Sequence, residues 1–182
     1  MVVCIREMKK IDLEKSEYAM KAMQLFREGY NCSQSVFLAF QDKYDMDEKT
    51  ALRLSSSFGG GMGRLREVCG TVSGMFMTAG ILYGYESPKD RMAKTEHYTR
   101  IQELAGKFRE INHSIVCREL LGLSVLTDSP IPSERTEEYY KKRPCVELVG
   151  IAAAIMEEYI QAADKEKPEA DKPEAEKPDK DK

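Results

Sequence analysis

The chain has 182 residues, 42% of them hydrophobic and 32% charged, which is enough for one compact domain with a sizeable core. Its formal net charge of -3, with Lys and Arg interspersed among Asp and Glu, leaves no basic footprint for nucleic acid. The opening MVVCIREMKK is too short an apolar run for a signal-peptide core, and no later stretch approaches the roughly eighteen apolar residues of a membrane span, so a cytoplasmic protein is expected.

Met1 to Leu13 is a lead-in, and Cys4 within it belongs to no readable pattern. From Ser16, the positions Tyr18, Ala19, Ala22, Met23, Leu25 and Phe26 recur with helical spacing, and Gly29 is the expected stop. Asn31 is a good N-cap for a second helix whose stripe, Cys32, Val36, Phe37, Ala39 and Phe40, runs to about Tyr44. Asp47 reads as the cap of a third helix, Glu48 to Ser57. Gly59, Gly60, Gly61 and Gly63 follow and permit a tight loop. The pattern Val72, Met75, Phe76, Ala79, Leu82 and Tyr83 then predicts a central helix from about Glu67 to Tyr83, with Cys69 in or near its first turn. Gly70 and Gly74 lie one turn apart on that helix. Each costs about 1 kcal/mol against Ala, so another helix backbone or a ligand is expected to come close there.

Ser87, Pro88 and Asp90 read as the start of a long amphipathic helix ending near Asn112. Ser114 is the expected cap of a short helix that Gly122 ends, with Cys117 at its third position. Ser124 to Ser133, with Pro130 and Pro132, reads as a loop, and Glu134 to Lys142 as a polar helix. Pro144 begins the last apolar helix, Val146 to Ile160, with Cys145 directly after the proline. Past Ala163 the repeated Lys-Pro-Glu-Ala units contain no large apolar residue, so residues 164–182 are expected to form a disordered tail. No stretch keeps a period-two alternation. The expected fold is all-α, one domain over residues 1–163 with about six to seven helices.

Five cysteines, an odd number in a compartment expected to be reducing, argue against a disulfide framework, and no C-x-x-C pair occurs among them. Four of them, Cys32, Cys69, Cys117 and Cys145, fall at or near the predicted first turns of four different helices. Unpaired N–H groups and the helix dipole there stabilise an anion and draw a thiol pKa below its free value of about 8.5. If those helix starts converge, they make a four-thiolate pocket suited to an iron–sulfur cluster or zinc. Free cysteine is also among the most buried residue types, so each of the four by itself reads as a small core residue. Arg64 and Arg66 could hold an anion, but their loop lacks the Gly-Lys-Ser/Thr of a phosphate loop, and a tight interhelical turn is the favoured reading. His113, four residues before Cys117, is a candidate nitrogen ligand that a solvated helix edge explains as well.

The segments Gly29-Tyr-Asn-Cys-Ser-Gln-Ser-Val36, Phe58-Gly-Gly-Gly-Met-Gly-Arg64, Cys69-Gly-Thr-Val-Ser-Gly74, Cys117 ahead of Leu120-Leu121-Gly122, and Cys145 opening the last helix together resemble the C_GCAxxG_C_C family of redox-active proteins. The resemblance covers about Ala19 to Tyr159. Thr71 stands where the family motif carries Ala, and Thr is the larger residue. The resemblance implies redox activity or metal binding by Cys32, Cys69, Cys117 and Cys145, with an iron–sulfur cluster or another thiophilic metal as the cofactor. Gly70 and Gly74 would then let the backbone approach the cofactor. Because similar domains accompany transport proteins or electron-transfer cofactors, a redox or transport protein is the expected partner, and a homodimer is an open assembly state. Two rival readings stand beside this one. They are a thiol–disulfide oxidoreductase that needs no metal, and a helical interaction module in which the thiols merely pack.

Overall fold

Ser16 opens the first helix by accepting a hydrogen bond from the Ala19 N–H at 3.0 Å. The chain then forms α1 (Glu17–Arg27), α2 (Cys32–Ala39), α3 (Glu48–Ser56), α4 (Gly70–Tyr83), α5 (Arg91–Asn112), α6 (Cys117–Leu120), α7 (Glu137–Lys142) and α8 (Cys145–Glu166). The computed structural model describes residues 11–166, so Cys4 and the expected tail from residue 167 onward lie outside the described residues. Among the described residues no strand forms, and the fold is all-α.

Side-chain caps set several of these starts where the sequence places them. Asn31 accepts from the Ser33 and Gln34 N–H groups at 3.0 Å, and the Gln34 side chain answers on the Asn31 N–H, closing a capping box directly before Cys32. Asp47 caps α3 through the Thr50 N–H. Gly29, with φ 109, ends α1 as expected.

Other boundaries shift for physical reasons. The long helix starts at Arg91, because Asp90 accepts from the Ala93 N–H while Ser87 is used up in the turn before it. α2 ends at Ala39, and a 3₁₀ turn at Gln41–Lys43 takes its place. The polar helix starts at Glu137, capped by Thr136. α8 carries Asp164–Glu166 as its last turn, past the expected boundary at Ala163. Extending a long helix costs far less than starting one.

The largest correction concerns the central helix, which starts at Gly70 and not near Glu67. Residues before it pair with a distant segment. The Cys69 N–H donates to Ile115, the Cys117 N–H to Glu67 and the Arg118 N–H to Arg66, around an isolated antiparallel bridge between Val68 and Val116. That pairing keeps residues 67–69 out of the helix. It also delays the short helix, so that Cys117 is its first residue and the Ser114 hydroxyl serves the turn before it.

α8 packs along α1 and also meets α4, α2 and α5, while α2 lies against α4. Phe26, Val36, Phe40, Met75, Phe108 and Ile155 form the interior between them. Gly70 and Gly74 face α2. A Cβ on Gly70 would lie 2.8 Å from the Phe58 carbonyl and 3.1 Å from Cys32 Cβ, and one on Gly74 would lie 2.8 Å from the Ser33 carbonyl. The close approach is therefore one helix to another, and it brings the starts of α2 and α4 together.

Candidate functional site

Cys32, Cys117 and Cys145 are the first residues of α2, α6 and α8, and Cys69 is the residue immediately before α4. All four are reduced and between 4% and 9% exposed. They line one cavity of about 260 Å³, together with Gly60, Arg64, Arg66, Arg135, Tyr139 and Arg143. Gly70, Gly74 and His113 are not among its lining residues. His113 instead ends α5 in the left-handed region, at φ 65.

The loop between α3 and α4 shapes one wall. Gly60, Gly61, Met62, Gly63, Arg64 and Arg66 all have φ between 61 and 72. For the three residues with side chains that backbone costs of the order of 1 kcal/mol or more each, and such strain persists only where the surroundings hold it. Here the Asp128 N–H donates to the Arg64 carbonyl, and the Arg66 and Glu67 carbonyls are tied to Arg118 and Cys117. A Cβ on Gly61 would lie 2.7 Å from Cys117 Cβ, so this thiol is seated on bare backbone.

The electrostatics of the thiols differ from the simple expectation that four helix starts lower four pKa values. A hydrogen bond to Cys145 and burial push Cys32 well above the usual thiol range, and burial pushes Cys69 up to about 12. Burial also raises Cys117, even though Arg66 Nη1 donates to its Sγ at 3.7 Å. Only Cys145 is lowered, because it accepts the Cys32 thiol hydrogen bond. Depth outweighs the helix dipole at Cys69 and Cys117. Thr71, the departure from the family motif, is fully buried, and its hydroxyl donates to Cys69 Sγ at 3.2 Å.

Four arginines complete the wall, Arg64, Arg66, Arg135 and Arg143. Asp128 bridges Arg64 at 2.7 Å and Arg66 at 2.5 Å. Arg135 lies 4.2 Å from the centroid of the Phe26 ring and 4.9 Å from that of Tyr139, against which Arg143 also stacks. Arg66 Nε and Arg135 Nη1 are buried without an acceptor. Leaving such a donor unmade costs about 1–3 kcal/mol, more for a charged group. The only sequence hint of this wall is the placement of Arg64 and Arg66 between the glycines and Cys69.

The hydrogen bond from Arg66 holds the Asp128 carboxyl down at about 2. Its folded value lies below the unfolded one of about 3.9, so its contribution to stability is complete above pH ~4 and is lost as pH falls through ~2. Urea melts of the wild type and of Asp128→Asn should differ by a constant amount above about pH 4 and converge toward pH 2. A gap that persists unchanged to pH 2 would remove the carboxylate from this role.

The model of the family described as "Putative redox-active protein (C_GCAxxG_C_C)" matches residues 30–159. The chain belongs to the C_GCAxxG_C_C family. No curated protein and no solved structure matches it. The family name carries redox activity and leaves the cofactor open. Among the described residues no group of three or more His, Cys, Asp or Glu is placed to hold a single metal ion. A mononuclear site, with thiolates about 2.3 Å from one ion, therefore does not fit the side chains as they stand. A cluster is different, because its thiolate ligands are divided among several irons and surround a volume. Four cysteines line one such volume here, in a wall rich in arginine.

Proposed function

We propose that this C_GCAxxG_C_C protein is a redox protein in which Cys32, Cys69, Cys117 and Cys145 together hold an iron–sulfur cluster for electron transfer or redox sensing. The observation that carries this reading is that four buried cysteines from four separate helix starts line a single cavity. A bound cluster supplies one-electron transfer. The chain supplies the rest. Its apolar helices limit access of water to the thiols, and Arg64, Arg66, Arg135 and Arg143 offset the negative charge of thiolates. A redox or transport protein as partner and residence in the cytoplasm belong to the same proposal, and a homodimer is compatible with it. Among the described residues no helix is long and apolar enough to cross a membrane. Anaerobic purification and reconstitution, followed by iron and sulfide analysis and an absorption spectrum, tests the reading. A colourless, metal-free product after both steps would sink it.

Cys32 and Cys145 line the same cavity and shift each other's titration in opposite directions, which favours a second reading, metal-free thiol–disulfide exchange. The Cys145 thiolate attacks a substrate disulfide and releases one substrate thiolate. Cys32 then attacks Cys145 Sγ, gives up its proton and releases the second, so that the substrate is reduced and the pair oxidised. In metal-free, reduced protein at neutral pH, iodoacetamide should label Cys145 ahead of the other three, as read by peptide mass spectrometry. Cys32→Ala should slow that labelling, because Cys145 loses the donor that favours its thiolate. Labelling of Cys69 first would contradict the assignment.

A further inference from the structure

The cavity wall carries more positive charge than its neighbours balance. Of its four arginines, Arg64 and Arg66 share one carboxylate, Asp128, and among the described residues Arg135 and Arg143 form no ion pair. Arg66 is only 2% exposed, and its Nε has no acceptor; neither has Arg135 Nη1. Buried N–H groups are almost always paired, so two side chains from sequence-distant segments that both line this cavity, each with a donor lacking an acceptor, mark guanidinium charge that the protein itself leaves unbalanced. The helix α4, which starts directly after the cavity residue Cys69, also has no side-chain cap on its first N–H groups.

We infer that the four-cysteine cavity is an anion site in its own right, whose occupant pairs with the guanidinium groups of Arg135 and Arg143 and, in the metal-free protein, is a small oxyanion of the sulfate or phosphate class. Size supports the class. A cavity of about 260 Å³ is below the roughly 300–1,000 Å³ of sites for drug-sized ligands, which suits a free tetrahedral anion and not a nucleotide. The inference rests on reading this cavity as the working site. A thiolate-held cluster is itself an acceptor of N–H groups, so oxyanion and cluster compete for the same wall.

The test uses the full chain, reduced and metal-free, titrated calorimetrically with sodium sulfate and, at equal ionic strength, with sodium chloride. Sulfate should bind and chloride should give no comparable heat. Arg135→Gln should weaken sulfate binding at least about tenfold, since hydrogen bonds to charged groups are the stronger kind. Arg143→Gln, on a partly exposed side chain whose loss leaves the interior intact, should weaken it as well, with circular dichroism verifying the fold of both variants. Sulfate binding that neither substitution changes, or heat no larger than that of chloride, overturns the inference. Cluster assembly is followed separately by absorbance. Sulfate that slows assembly supports the shared wall. A protein that assembles a cluster yet never binds sulfate overturns the anion site and leaves the cluster reading standing; one that binds sulfate and takes up no iron does the reverse.

Discussion

Serine at any one of Cys32, Cys69, Cys117 or Cys145 is expected to bring the iron and sulfide content of reconstituted protein down to near background, while the helical fold survives. Ligation needs the thiolate, and a serine hydroxyl keeps its proton at neutral pH and is a poor partner for iron in a sulfur-rich site. The fold should tolerate the exchange. Each thiol is almost fully buried, and replacing sulfur by oxygen leaves a slightly loose, more polar group at a cost of about 1–3 kcal/mol. Alanine at the same positions removes the polar atom and separates that cost from the loss of a ligand. The pattern over the four positions decides among the readings. A cluster needs all four thiols, so all four variants should lose iron. Thiol–disulfide exchange needs Cys32 and Cys145, so only those two should abolish a redox signal. An interaction module would show modest losses of stability and no change in any signal.

Helix order in this chain is legible wherever the deciding contacts are local. Asn31, Asp47 and Gly29 act on backbone groups two to four residues away, and the periodicity of Ala19, Ala22 and Phe26 is fixed by burial on one side of α1. Legibility fails where a remote partner intervenes. Val68 and Val116 are far apart in the sequence, and their pairing alone moves the start of α4 and of α6. The same limit applies to the site. The positions of four cysteines near helix starts point to a shared pocket, and the family resemblance singles out the same residues. Arg135 and Arg143 carry no such sign, because a polar stretch after two prolines looks the same whether it faces solvent or folds over a cavity. Thiol pKa values fail for a related reason. Position at a helix start is visible in the sequence, whereas the neighbouring Cys145 that raises Cys32 and the depth of burial that raises Cys69 and Cys117 are set by the packing of distant helices.

Gly74→Ala and Gly80→Ala, on the same helix, should change stability in opposite directions. An alanine gains about 1 kcal/mol over glycine within a helix from intrinsic propensity, and at Gly80 nothing lies within 4 Å of the added methyl. Gly80→Ala should therefore raise the melting temperature by about 2–4 °C for a chain of this size. At Gly74 the methyl would stand 2.8 Å from the Ser33 carbonyl oxygen and 2.9 Å from Val36 Cβ, both fixed parts of α2. Neither can swing aside, so the two helices must separate. Overpacking of this kind costs up to about 3 kcal/mol, which outweighs the propensity gain and leaves a net loss near ~2 kcal/mol, or about 4–8 °C. The consequence reaches the site. α2 carries Cys32 at its start and α4 follows Cys69, so a wider gap between them moves two of the four thiols apart. Gly74→Ala should accordingly lower cluster uptake even at temperatures where it is folded, and Gly80→Ala should leave uptake unchanged. Equal effects of the two substitutions, by differential scanning calorimetry and iron analysis, would mean that the contact between α2 and α4 does not set the geometry of the cavity.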